Sequence, residues 1–197
     1  MGKPAKAILD FFKLKDVTWL GISMGGYFCF RAAAFEPLIK RAIASSIAFD
    51  YMKLPNIVAQ LLIKLFFVHL RNFSNKASMK RIKKGGMEAW RISNLMYIAN
   101  KKTAMDAFDV AAQLNEKNLH SDLVKQDVLI LTGREEHFIP FKMHDMQVKA
   151  LTNAKSVTAR VFTKEEQAQN HCQIGNIGLA LDVMVKWIEK SHSLHYY

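Results

Sequence analysis

Short apolar runs alternate along this chain with longer segments of helical spacing. Asp16 to Gly21 (DVTWLG) combines β-branched and aromatic residues and ends at a glycine, which predicts a strand. Before it, Lys3, Lys6, Lys13 and Lys15 alternate with Ile8, Leu9, Phe11 and Phe12, the pattern of an amphipathic helix rather than of an uninterrupted export signal. Gly25 to Phe35 is rich in alanine and aromatics with no polar face, predicting a buried helix that stops at Glu36-Pro37, because proline pushes its predecessor out of helical geometry. Arg41 to Phe49 (RAIASSIAF) and Asp127 to Thr132 (DVLILT) are apolar runs of the length found inside a parallel sheet. Ser156 to Phe162 (SVTARVF) alternates, as an edge strand does. Ile174, Ile177, Leu181, Met184 and Ile188 recur at helical spacing and predict a C-terminal helix with one apolar stripe. Strands alternating with helices imply a parallel α/β sheet.

The stretch from Asp50 to Gln126 is far longer than the roughly 10 to 15 residues of a simple crossover helix. It reads as helical. Asn56, Gln60, Lys64 and Arg71 fall on one narrow stripe, leaving the rest of the Ile57 to Leu70 helix apolar and in need of cover. Gly85-Gly86 separates it from a second helix carrying Trp90, Ile92, Leu95, Met96 and Ile98, and Thr103 with Asp106 forms a capping box that opens a third. The expected organisation is an α/β core at 1–50 and 119–197, interrupted at 51–118 by a helical cap lying over the sheet.

The net charge of +11 raises nucleic acid or anionic membrane as partners, but its distribution is uneven. Between Tyr51 and Ala104 stand eleven basic residues against Glu88 alone, so the excess belongs to the insert. A solvated surface is the simpler account of Lys80, Arg81, Lys83 and Lys84, with phosphate or anionic lipid as the alternative, and no nucleic-acid partner is expected. The longest apolar run, broken by Gln60 and Lys64, falls short of the roughly 20 residues of a spanning helix. Two cysteines, Cys29 and Cys172, have neither a disulfide framework nor metal-ligand spacing, so a cytoplasmic protein without metal or cofactor is expected.

Gly21-Ile22-Ser23-Met24-Gly25 fits G-x-S-x-G, with the strand before it and the helix after it that the motif requires. A serine at so sharp a turn projects its hydroxyl from the sheet, and the following helix aims free N–H groups at the same point, so the Met24 amide can donate to an oxyanion. A hydroxyl is a poor nucleophile until a base takes its proton. Of the seven histidines, His171 in Gln169-Asn170-His171-Cys172 lies between the last strand and the last helix, where a base is needed. Leu131 to His137 (LTGREEH) places a carboxylate after the third strand, with Glu136 preferred as the acid and Glu135 as its competitor. A Cys172-His171 pair is the weaker reading, because adjacent side chains normally diverge.

GISMGGY, LTGREEHFIP and NHCQIGN together resemble the α/β-hydrolase superfamily, in particular its capped bacterial branch similar to acylaminoacyl-peptidases, dipeptidyl-aminopeptidases and pseudooxynicotine hydrolases. The resemblance covers Lys6 to Phe49 and Leu119 to Lys190, placing the family's serine at Ser23, its histidine at His171 and its acid at Glu136, where most members carry Asp. It implies a serine hydrolase cleaving an ester, amide, peptide or activated C–C bond in a small molecule or short peptide through an acyl-enzyme. Such folds place several strands ahead of the nucleophile strand, and only about fifteen residues precede it here. A truncated product or half-enzyme is therefore expected, with Val17 to Leu20 as an exposed edge open to homodimerisation, and a catalytically impaired binding fragment is the alternative.

Overall fold

The computed structural model describes residues 2–53 and 56–193. The chain begins with helix α1 (Gly2–Phe11), strand β1 (Val17–Ile22), helix α2 (Met24–Ala33) and strand β2 (Ile39–Ser45). Five helices follow: α3 (Ile57–His69), α4 (Arg71–Lys84), α5 (Gly86–Ile98), α6 (Ala104–Ala111) and the short α7 (Glu116–Leu119). Strand β3 (Asp127–Gly133), helix α8 (Lys142–Ala150), strand β4 (Ser156–Phe162) and helix α9 (Ile177–Ser193) complete it.

All four strands pair in parallel in the order β1-β2-β3-β4, so their C-terminal ends lie along one side of the sheet. β3 is buried at every position, as its unbroken apolar run demands of a central parallel strand. β4, buried only at Phe162, stands at one edge; β1 stands at the other, with Leu20 and Ile22 exposed. α2 packs on β1 and β2, burying Tyr27, Cys29 and Phe30. A second cluster joins Ile43, Leu129, Leu131 and Phe162 of the sheet to Ala168 and to Ala180 and Met184 of α9.

The stripe expected for the C-terminal helix is only partly the buried one. Ile177 and Leu181 are exposed and Ile174 precedes the helix, whereas Ala180 and Met184 enter the core, with Leu179, Val183, Trp187 and Ile188 packed beside them. Met184 and Ile188 belong to both the expected stripe and the one packed on the sheet.

The described residues fall into two compact units, one within 1–49 and 116–197 and the other within 50–115. Within the second, the helix expected after Pro55 ends at His69 and a new one starts at Arg71, so α4 is an element that apolar periodicity did not separate. Thr103 caps α6 by accepting from the Asp106 amide, as the capping box predicts. Arg71 ties α4 to α6 through Asp106 and Asp109. The Lys64 side chain and His195 lie outside the described residues.

Candidate active site

The turn that ends β1 places Ser23 at φ 55° and ψ −123°, a conformation that costs a non-glycine residue roughly 1–3 kcal/mol. Gly21 makes the turn possible. A Cβ on it would stand 2.2 Å from the Gly25 carbonyl oxygen and 2.7 Å from the Cys29 Cβ, too close for either to remain. The motif's second glycine is a different case: a Cβ on Gly25 would meet nothing within 4 Å, and it is Gly26 that faces the Ala44 and Ile47 side chains. Of the two motif glycines, Gly21 alone stands where a side chain has no room.

Ser23 occupies the N-cap position of α2 without using its side chain to cap the helix, which leaves Oγ free. His171 Nε2 lies 3.0 Å from that Oγ, and His171 Nδ1 lies 2.8 Å from Glu136 Oε2. Three segments far apart in sequence thus converge at the C-terminal ends of β1, β3 and β4. Met24 is the first residue of α2, where a backbone N–H has no partner within the helix. Glu135 is exposed and does not take part, while the Glu136 side chain is only 1% exposed.

The electrostatics follow from these contacts. Burial pushes the Glu136 carboxyl up, but hydrogen bonds from His171, the Phe138 amide and Ser46 outweigh it and hold the group below its ordinary value. His171 is pushed up to about 9 by a hydrogen bond with the Cys172 side chain and then by Glu136, against the opposing effect of burial. Cys172 sits at φ 54°, in the left-handed region, as does Gln173 after it.

Three residues that sequence reading passed over hold the arrangement together. Ser46, buried at φ 52° just beyond β2, accepts from the Cys172 amide at 2.8 Å and hydrogen-bonds the Glu136 carboxylate. Gln173, fully buried at φ 54°, accepts from Ser45 Oγ at 2.7 Å and so ties the His171 loop to the same strand end. Gly133 ends β3 with no room for a side chain: a Cβ there would stand 2.2 Å from the Gln169 carbonyl oxygen, while the Glu135 amide donates to that same oxygen. It lets the loop carrying Glu136 lie against the loop carrying His171. A signal for Ser46 existed in the polar Ser45-Ser46 pair within the otherwise apolar run Ala42 to Phe49, the point at which β2 ends.

Among solved structures, the chain is similar to the 2,6-dihydroxy-pseudo-oxynicotine hydrolase at 19% identity and a TM-score of 0.57, over 89% of this chain and 42% of that one. It is similar to the α/β hydrolase GrgF from Penicillium sp. sh18 at 13% identity and a TM-score of 0.61, over 96% of this chain and 70% of that one. The esterase EaEST from Exiguobacterium antarcticum matches at 13% identity and a TM-score of 0.55, over 96% of this chain and 72% of that one. The chain thus spans less than half the length of the pseudo-oxynicotine hydrolase. No protein-family model matches it, and no curated protein matches it in sequence. At these identities the likeness shows the fold, and it bears out the resemblance drawn from GISMGGY, LTGREEHFIP and NHCQIGN at that level.

Proposed function

On this α/β-hydrolase fold, we propose that the chain is a serine hydrolase that cleaves an ester, amide or activated C–C bond through an acyl-enzyme. The observation that carries the reading is His171 held between Ser23 Oγ and Glu136 Oε2 at hydrogen-bond distance on both sides. Ser23 Oγ attacks the substrate carbonyl carbon while His171 Nε2 takes its proton, and the Met24 amide donates to the oxygen that becomes negative. Glu136 accepts from Nδ1–H, which fixes the tautomer and offsets the imidazolium charge. His171 returns the proton to the leaving group, then activates water against the acyl-enzyme. A fluorophosphonate probe, which reacts with an activated serine, tests this: the label should map to the peptide containing Ser23, and labelling elsewhere or nowhere overturns the assignment.

The pH profile is a second check. Only neutral His171 can accept a proton, so with its pKa pushed up to about 9, kcat/KM for a neutral ester should fall about tenfold per unit as pH drops below that value. Cys172→Ala removes the largest cause of the shift and should move this limb downward; an unmoved limb would exclude Cys172 from setting the base. The same raised pKa gives the folded chain stability that is fully present below about pH 6.5 and lost as pH rises through about 9.

Ser46 acts as a positioning residue, since it touches Glu136 and the His171 loop rather than the reacting atoms. A hydrogen bond to a charged group contributes about 1.5–3 kcal/mol, so Ser46→Ala should lower kcat roughly 10- to 100-fold with little change in KM. Unaltered kcat in a destabilised variant would reduce Ser46 to a structural role. We further read 51–118 as a cap that governs substrate choice. In support, the segment leaves the sheet just after β2, the strand whose end carries Ser45 and Ser46.

A further inference from the structure

The helical unit 50–115 presents two features for which the hydrolase chemistry has no use. On α3, Ile57, Val58, Leu61, Leu62 and Leu65 are each at least half exposed. Their spacing places them on one face of the helix, an uncovered apolar strip of the kind that marks an interaction site. At 1.5 Å per residue a helix of this length reaches about 20 Å, short of the roughly 30 Å hydrocarbon core of a bilayer. No described helix is long and apolar enough to cross a membrane.

The second feature lies on α4. Lys76, Lys80 and Lys83 recur at helical spacing and, with Lys102 before α6, line a concave site of about 300 Å³ that also includes Met79. Phe73, itself exposed, stands three and seven residues before Lys76 and Lys80, on the same face of α4. The acidic side chains of this unit are already engaged. Asp106 and Asp109 pair with Arg71, Glu88 with Arg91, and Asp50 with Lys53. Among the described residues, none of the four cavity lysines has an ion-pair partner. Four ammonium groups around one concavity repel one another until an anion enters it.

We propose that this unit docks on an anionic phospholipid bilayer, with the apolar face of α3 entering the headgroup–acyl boundary and the lysine-lined cavity of α4 holding headgroup phosphates. An apolar helical face accompanied by clustered lysines matches the two layers of such a surface, oily beneath and negatively charged above. A second copy of the chain would also cover α3, but it would bring the same excess positive charge and be repelled. The proposal does not depend on the serine hydrolase reading.

Flotation of the full chain with vesicles tests it. Vesicles of phosphatidylcholine with phosphatidylglycerol should carry the protein, and pure phosphatidylcholine vesicles should carry little. Lys80→Gln with Lys83→Gln should weaken binding roughly thirtyfold, since each cation near an anionic surface contributes about fivefold. Leu61→Gln with Leu65→Gln should weaken it as well, at unchanged ionic strength. Lys13→Gln with Lys15→Gln removes the same charge outside the helical unit and should have little effect. Equal binding to neutral vesicles, no binding to anionic ones, or an equal loss in the Lys13 and Lys15 variant would each overturn the proposal. So would binding of soluble pyrophosphate without vesicle association, because the occupant would then be a free anion.

Discussion

A Ser23→Ala variant is expected to lose about 10⁶-fold in kcat on a p-nitrophenyl ester and all fluorophosphonate labelling, the scale on which a nucleophile working as a unit with its base is felt. The Ser23 hydroxyl is the group that His171 Nε2 reaches, at 3.0 Å, and it projects from the sharp turn at φ 55° and ψ −123° that ends β1. Folding should survive. Alanine meets the same backbone cost at φ 55° as serine does, and one lost hydrogen bond at a partly exposed site amounts to about 0.5–1.5 kcal/mol. A thermal melt close to that of the parent, alongside absent turnover, separates loss of chemistry from loss of structure. Retained labelling in this variant would remove Ser23 from the mechanism, and a label transferred to Cys172 would make the thiol beside His171 the nucleophile.

Glu136→Gln should lower kcat by about 10⁴-fold, while Glu135→Gln should leave it within about twofold. The difference has a geometric cause. The Glu136 carboxylate faces donors from His171 Nδ1, the Phe138 amide and Ser46, so it uses both oxygens as acceptors. A glutamine amide of the same shape has one acceptor atom and turns its NH₂ toward at least one of these donors. If that NH₂ faces His171, the imidazole must carry its proton on Nε2, the atom that should accept from Ser23. In either orientation the amide lacks the charge that stabilises an imidazolium. Glu135 is exposed at the same turn and touches none of these groups. Steady-state kinetics on the two variants decide the matter, and the reverse ranking would move the acid to Glu135.

Sequence patterning alone specified the order of the four strands, because burial on both faces of a parallel sheet leaves unbroken apolar runs such as DVLILT, although the run Arg41 to Phe49 outlasts β2, which ends at Ser45. It also specified the Ser23 turn, since Gly-x-Ser-x-Gly between a strand and a helix is a local signal, and Gly21 meets Gly25 only four residues away. His171 and Glu136 could be proposed from their places after β4 and β3, because in a parallel sheet every strand ends on the same side. Local reasoning reached no further where the deciding contact is long-range. Which repeat of α9 is buried depends on the sheet beneath it, and two stripes of equal periodicity cannot be ranked without that neighbour. Gly133 matters because a loop 36 residues later passes over it, and Ser46 because the loop after His171 turns left-handed at Cys172 and Gln173 and brings a backbone amide to its hydroxyl. That α3 would remain uncovered was equally illegible, since an apolar helix face in a sequence implies a need for cover, and only the tertiary structure decides whether the chain itself supplies it.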